Sequence, residues 1–164
     1  SKRKVIVYLS SVIILLFSPK SKHNEFEYIN SKKVNLIQMS APPLQVYHAI
    51  NKYAIKYSIP YKIAFGVARK ETGYRGPTDL TYTYLQTSST GAEGAMQFIP
   101  STIRWLTNND KLTKKQIRRN VDMNVKQSMN YLNLLYNRYK NWHTSLGYYN
   151  TGYPVVNQYA IDIM

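Results

Sequence analysis

Glu71 stands within the stretch VARKETGYRG, residues 67–76, at the end of a run whose apolar residues recur at helical intervals. Ile63, Ala64, Val67 and Ala68 form one stripe. At about 100° per residue, Glu71 falls within about 40° of Val67 and closer still to Ala64. Arg69 and Lys70 fall on other faces, and Gly73 supplies a C-terminal stop. This phase turns the carboxylate toward the core side of a helix end, where packing gives way to a cleft. A carboxyl group held against apolar walls has its charged form disfavoured, so its pKa rises. Such a group stays protonated near neutral pH and can serve as a general acid, as in glycoside cleavage. A glutamate that bends into solvent from a frayed helix end is the simpler account of this stretch taken alone.

Other chemistries are poorly supplied. The chain has no cysteine, which excludes disulfides, thiol nucleophiles and zinc–thiolate sites. Its three histidines, His23, His48 and His143, show no metal-ligand spacing, and no metal or cofactor is expected. The formal net charge of +14 is spread along the chain. Such a field favours an anionic partner: nucleic acid, an anionic membrane surface or an acidic wall polymer. No nucleic-acid reading module is recognisable, and nucleic acid is not expected as a partner. The densest basic cluster, KLTKKQIRR at 111–119, reads as a solvated face.

The elements that must position Glu71 are helical. Val46, Ile50, Tyr53, Ala54 and Tyr57 predict a helix over 44–57, and Ser-Ile-Pro at 58–60 breaks it before the helix that carries Glu71. A polar, Tyr- and Thr-rich loop follows at 77–90. A short helix is expected after Pro100, through Ile103, Trp105 and Leu106. The longest is expected from Asn124 to about Lys140, on a stripe of Val125, Ser128, Met129, Leu132, Leu135, Tyr136 and Tyr139. Two short helices around Ser145–Tyr149 and Val155–Ala160 close the chain. No strand run is convincing, so the fold class is mostly α.

Residues 1–20 carry a basic cap and an apolar run from Val5 to Phe17. Thirteen helical residues reach about 20 Å, short of a hydrocarbon core of about 30 Å. The start at Ser1, as after removal of an initiator Met, and the lack of a small-x-small cleavage site favour a retained membrane anchor or membrane-inserting segment over a signal peptide. Lys2, Arg3 and Lys4 would then leave the domain outside. Residues 21–42 read as a polar tether, and 43–164 as the globular domain.

Four motifs give the chain a family likeness. Glu71-Thr72, GAEGAMQFIPST at 91–102, NVKQSMNYL at 124–132 and YYNTG at 148–152 together resemble the lytic transglycosylase domain of the soluble-lytic-transglycosylase-like (SLT) family, which is related to goose-type lysozymes. The resemblance implies a lysozyme-like helical fold and makes Glu71 the catalytic acid/base. It puts Thr72 where the family usually has Ser. It makes Gly91, Ala92, Gly94, Met96 and Gln97 a glycine-containing turn with a cleft-lining Met-Gln pair, and sets the Tyr149 hydroxyl, next to Asn150, beside the catalytic Glu. Asn124, Tyr131 and Leu132 fit the scaffold helix, with Ser128 replacing the usual Gly. Thr72, Gly91, Ala92, Met96, Gln97, Tyr149 and Asn150 are accordingly expected at the substrate.

The loop between Glu71 and Gly91 is longer than the family's, and its Tyr82 and Tyr84 could stack on sugar faces. A hydrolase would need a second carboxylate. Asp79, Glu93 and Asp122 are the candidates, and Glu93 is expected to be exposed. A single acid suits a lytic transglycosylase instead. It would cleave the β-1,4 bond between N-acetylmuramic acid and N-acetylglucosamine and leave a 1,6-anhydro end. The alternatives are a lysozyme-type hydrolase and a non-catalytic wall-binding component. The expected partners are a peptidoglycan glycan strand, a membrane through residues 5–17, and virion or envelope-assembly proteins. The setting is then a membrane-anchored enzyme facing the wall, or a phage virion.

Overall fold

The computed structural model describes residues 27–32, 36 and 40–164. The expected anchor at 1–20 and most of the tether at 21–42 lie outside the described residues. The chain divides into two units, 1–40 and 41–164. In the first, residues 27–32 are helical and exposed.

The second unit holds seven helices among the described residues: α1 (Pro42–Lys56), α2 (Tyr61–Thr72), α3 (Pro100–Thr107), α4 (Lys114–Arg119), α5 (Val121–Tyr139), α6 (Trp142–Thr151) and α7 (Gln158–Ile163). No described residue belongs to a strand; isolated bridges pair Glu93 with Thr87 and Phe98. The unit is mostly α, as the periodicity requires.

Local sequence explains most boundaries. Two prolines open α1, where their missing N–H groups cost nothing. Pro60 precedes α2, and Gly73 ends it in the left-handed region at φ 71°. Helix α5 starts three residues before the expected Asn124, because the Asn120 side chain accepts from the Met123 amide at 2.9 Å. Asn157 caps α7 in the same way, so that helix runs from 158 to 163 rather than around 155–160. Helix α4 corrects the reading of 111–119 as solvated face alone. Thr113 and Gln116 form a reciprocal capping box, and Ile117 is wholly buried.

Helix α5 lies at the centre, packed on α1, α3, α4 and α6. Its Val125, Met129 and Leu132 meet Val46, Ile50 and Tyr53 of α1 and Val67 of α2 in one core. Each such aliphatic side chain contributes roughly 1.5–3 kcal/mol by leaving water. Phe98, Ile103 and Ile117 make a smaller cluster under α3 and α4. Helix α7 closes the site side by packing on both α2 and α6.

Two helical glycines permit close approach, with different tolerance. A Cβ at Gly147 would lie 1.6 Å from the Val155 carbonyl oxygen, a backbone atom. A Cβ at Gly66 would meet Ile163 Cγ2 at 2.8 Å, the end of a side chain that can rotate. Gly147→Ala should therefore cost at least about 2 kcal/mol in urea unfolding. Gly66→Ala should stay within about 1 kcal/mol of the parent, since alanine's helix propensity offsets the crowding.

Candidate active site

Helix α2 delivers Glu71 in its last turn, two residues before the Gly73 stop, with the side chain half-buried. Its direct partner comes from the far end of the chain. The Tyr159 hydroxyl, on α7, donates to Glu71 Oε1 at 2.6 Å. Burial raises the Glu71 carboxyl from the usual 4.5 to about 7, with the Tyr159 hydrogen bond acting the other way. Burial also lifts the Tyr159 phenol far above the usual tyrosine range, and the charge of Glu71 adds to this. Tyr149 is raised well above its usual value by burial first and Glu71 second, against a hydrogen bond from Ser128. Both phenols therefore remain neutral donors across the range in which Glu71 titrates.

Sequence reasoning missed Tyr159. It carries no motif and sits 88 residues from its partner. Only the docking of α7 on α2 brings it in, and the sole local signal was its place in a short helical stretch before Ile163.

The other expected site residues are distributed as follows. Tyr149 lies near enough for Glu71 to perturb it, but its hydroxyl donates to the Met96 carbonyl at 3.0 Å. Its ring stacks on Phe98 at 5.6 Å and tilts against Tyr131 at 6.1 Å. Met96 was expected to line the cleft; its side chain is instead wholly buried in the core, and only its backbone reaches Tyr149. The Thr72 hydroxyl is engaged within the fold. It pairs with Tyr82 at 2.9 Å and donates toward the carbonyls of Ala95 at 3.0 Å and Ala68 at 3.1 Å, which ties the helix end to the glycine turn.

In that turn, Gln97 adopts a left-handed backbone at φ 45°. Its side-chain amide donates to the Gly94 carbonyl at 3.0 Å and the Gln86 carbonyl at 3.3 Å. Gly91 and Ala92 form the outer limb, held through Ser88, and they make no hydrogen bond to Glu71. Asn150 is exposed and accepts from Asn157 at 3.0 Å.

Asn124, read from sequence as scaffold, is the clamp of this turn. Fully buried, it donates to the Glu93 carbonyl at 2.8 Å and accepts from the Met96 amide at 2.9 Å. Gly94, at φ 80°, lies so close that a Cβ would come within 2.8 Å of the Asn124 amide nitrogen.

Two expectations need correction. Glu93 is not exposed but 1 % accessible. It accepts from Thr87 Oγ1 at 2.7 Å, and Arg118 Nη1 lies 3.4 Å from the same carboxylate oxygen, so α4 supplies the countercharge. Tyr82 is buried, its hydroxyl on Thr72 and its ring edge-on to Tyr74 at 5.0 Å, which removes it as a sugar platform. Tyr84 is half-buried and donates to Gln45. The other carboxylates considered are engaged elsewhere, Asp79 with Thr81 and Asp122 with Lys52 and Tyr53. Among the described residues no group of three or more His, Cys, Asp or Glu could hold a metal.

The arrangement is a carboxyl titrating near neutrality, with a neutral phenol on one oxygen. A folded-state pKa above the ordinary value means that burying the ionised form costs stability. Glu71's contribution is intact below 4.5 and is lost as pH rises through about 7. Glu71→Gln, uncharged throughout, should therefore gain in Tm over the parent at pH 8 and much less at pH 4. Tyr159→Phe removes the bond that lowers the value, so the Glu71 titration followed by carboxyl NMR should move above about 7.

No curated protein matches the chain in sequence. Among solved structures, the 70-kDa soluble lytic transglycosylase in complex with bulgecin A superposes with a TM-score of 0.54 at 22% identity. The match covers 74% of this chain and 19% of that one. At this identity the likeness establishes the fold alone, shared with the matched part of that chain. The model of the transglycosylase SLT domain matches residues 48–160, a span that contains Glu71, the glycine turn, α5 and Tyr149. The chain accordingly belongs to the transglycosylase SLT domain family.

Proposed function

We propose that residues 43–164 form a peptidoglycan lytic transglycosylase with Glu71 as its single acid/base. The observation that carries this reading is the half-buried Glu71 carboxyl at about 7, with Tyr159 on one oxygen, inside a sequence that matches the SLT domain. A carboxyl near 7 is protonated often enough to donate and is basic enough, once ionised, to take a proton back.

In the proposed reaction Glu71 protonates the glycosidic oxygen between N-acetylmuramic acid and N-acetylglucosamine, and the bond from that oxygen to the muramoyl C1 breaks. The cationic centre at C1 is captured by the sugar's own 6-hydroxyl, whose proton passes to the Glu71 carboxylate. The product is a 1,6-anhydro ring, no water is consumed, and the acid is restored. The Tyr159 hydroxyl holds Oε1 and offsets part of the charge on Glu71 while it is ionised, leaving Oε2 for the substrate. The substrate-facing set is proposed as Thr72, Gly91, Ala92, Met96, Gln97, Tyr149 and Asn150. The bonds above suggest that Met96 acts through its backbone and Thr72 through the wall it ties together.

The basic domain suits an anionic wall, and residues 1–20 and 21–42 are proposed as anchor and tether. Among the described residues no helix is long and apolar enough to cross a membrane, and residues 5–17 lie outside them. The setting proposed is local opening of the wall, by an envelope machine or by an entering phage virion.

Digestion of purified sacculi followed by mass spectrometry should yield muropeptides with anhydro ends. Reducing ends alone would replace this reading with a lysozyme-type hydrolase, and binding without turnover would leave a wall-binding component. Glu71→Gln should lower kcat by about 10²–10⁴, the usual worth of a positioned acid. In the parent, the rate should fall as pH rises through about 7, because the acid form is lost.

A further inference from the structure

Helix α4 is tied to the glycine turn by its cations. Its Ile117 is wholly buried and a capping box fixes its start, so those cations stand on a held element rather than a free loop. Lys114 and Arg118, four residues apart, share one side of it, and both reach the turn. Lys114 Nζ lies 3.4 Å from where a Cβ on Gly91 would stand. Arg118 Nη1 donates to Thr87 Oγ1 at 2.6 Å, and that hydroxyl donates onward to Glu93 Oε2 at 2.7 Å. The guanidinium nitrogen is itself 3.4 Å from the same carboxylate oxygen. Among the described residues no other cation forms an ion pair with Glu93.

Glu93 is also where the turn closes. Its amide and carbonyl exchange hydrogen bonds with Phe98, each at 3.1 Å, which makes a ring of residues 93–98. Inside the ring are the groups that meet the surroundings of Glu71. The Ala95 carbonyl accepts from Thr72, the residue after Glu71, and the Met96 carbonyl accepts from the Tyr149 hydroxyl, both at 3.0 Å. Gln97 keeps φ 45°, a backbone that a residue with a Cβ holds only where its surroundings impose it.

Without the guanidinium, a carboxylate that is 1 % accessible would keep its charge and lose its partner. A buried charge left alone is strongly unfavourable, so the segment that carries it shifts to reach water. That segment is the turn, which has no helix of its own to hold it. We propose that Arg118 is a positioning residue: through Thr87 and Glu93 it sets the ring that keeps Gln97 and Tyr149 in register with Glu71. The inference rests on the wall-cleaving reading above. Among the described residues neither Arg118 nor the Glu93 side chain bonds to Glu71 or Tyr159, so the effect reaches the acid only through the turn. It falls on the rate of bond breaking rather than on the hold of the strand.

The test uses the full chain and soluble glycan strands, with circular dichroism as the control for folding. Arg118→Gln should lower kcat at least about tenfold, toward the 10²-fold that a misplacement of about 1 Å can cost, and leave KM within about threefold. Arg118→Lys, which keeps the charge, should recover most of that loss. Glu93→Gln/Arg118→Gln leaves no buried charge unpaired and should be faster than Arg118→Gln alone. The backbone amide signals of Gln97 and Phe98 should move in Arg118→Gln and return toward the parent in the double variant. A lowered Tm with kcat unchanged would overturn the proposal and leave an ion pair that only stabilises the fold. A double variant as slow as the single one would overturn it too. Should Arg118→Gln fail to fold, Thr87→Val interrupts the same relay more gently, and an unchanged kcat there is equally fatal. If the parent cuts no strand, the transglycosylase reading falls, and the Gln97 and Phe98 signals alone decide whether Arg118 sets the turn.

Discussion

The hydrogen bond from Tyr159 to Glu71 is the contact on which the site's chemistry turns. A carboxyl buried without a partner would be driven so far toward its neutral form that it could not readily accept a proton. One in water would ionise below pH 5 and could not readily donate one. Partial burial together with one phenol donor puts Glu71 between these limits, at about 7. Burial is the larger influence and comes from helix packing, whereas the phenol is a single group that trims the result. The tuning is therefore as good as the placement of two helices, α2 and α7.

The surrounding polar network explains why that placement holds. Thr72 ties the end of α2 to the glycine turn, and Asn124 ties the same turn to the central helix α5. Glu93 and Arg118 close it on the side of α4. Among the described residues no buried side-chain nitrogen or oxygen lacks a hydrogen-bond partner. A turn without regular secondary structure thereby acquires the rigidity of the helices around it, which a catalytic constellation needs more than regularity itself.

Much of this was legible in residue order, and the failures have a common cause. The phase of Ile63, Ala64, Val67 and Ala68 put Glu71 on the inward side of its helix, and those four residues are buried. Helix α4 escaped notice because five charges in nine residues hid one buried Ile117, although Thr113 and Gln116 carried a visible capping signal. Glu93 was misread because a residue between two glycines looks like a loop tip. Its burial depends on Arg118 and Thr87, and no local pattern announces Arg118. Tyr159 escaped for the same reason: one-dimensional periodicity reports which side of a helix is apolar, not which distant helix will meet it.

The sequence separation between Glu71 and Tyr159 also orders events in time. During synthesis α2 leaves the ribosome long before α7 exists, so the nascent chain carries Glu71 without the helix that helps bury it and supplies its phenol. Its carboxyl then behaves as an ordinary surface acid, ionised at neutral pH. Potency arrives only when α7 docks, after the core around α5 has had material to form. On the proposed wall-cleaving reading, the acid thus stays blunt until α7 has docked on α2.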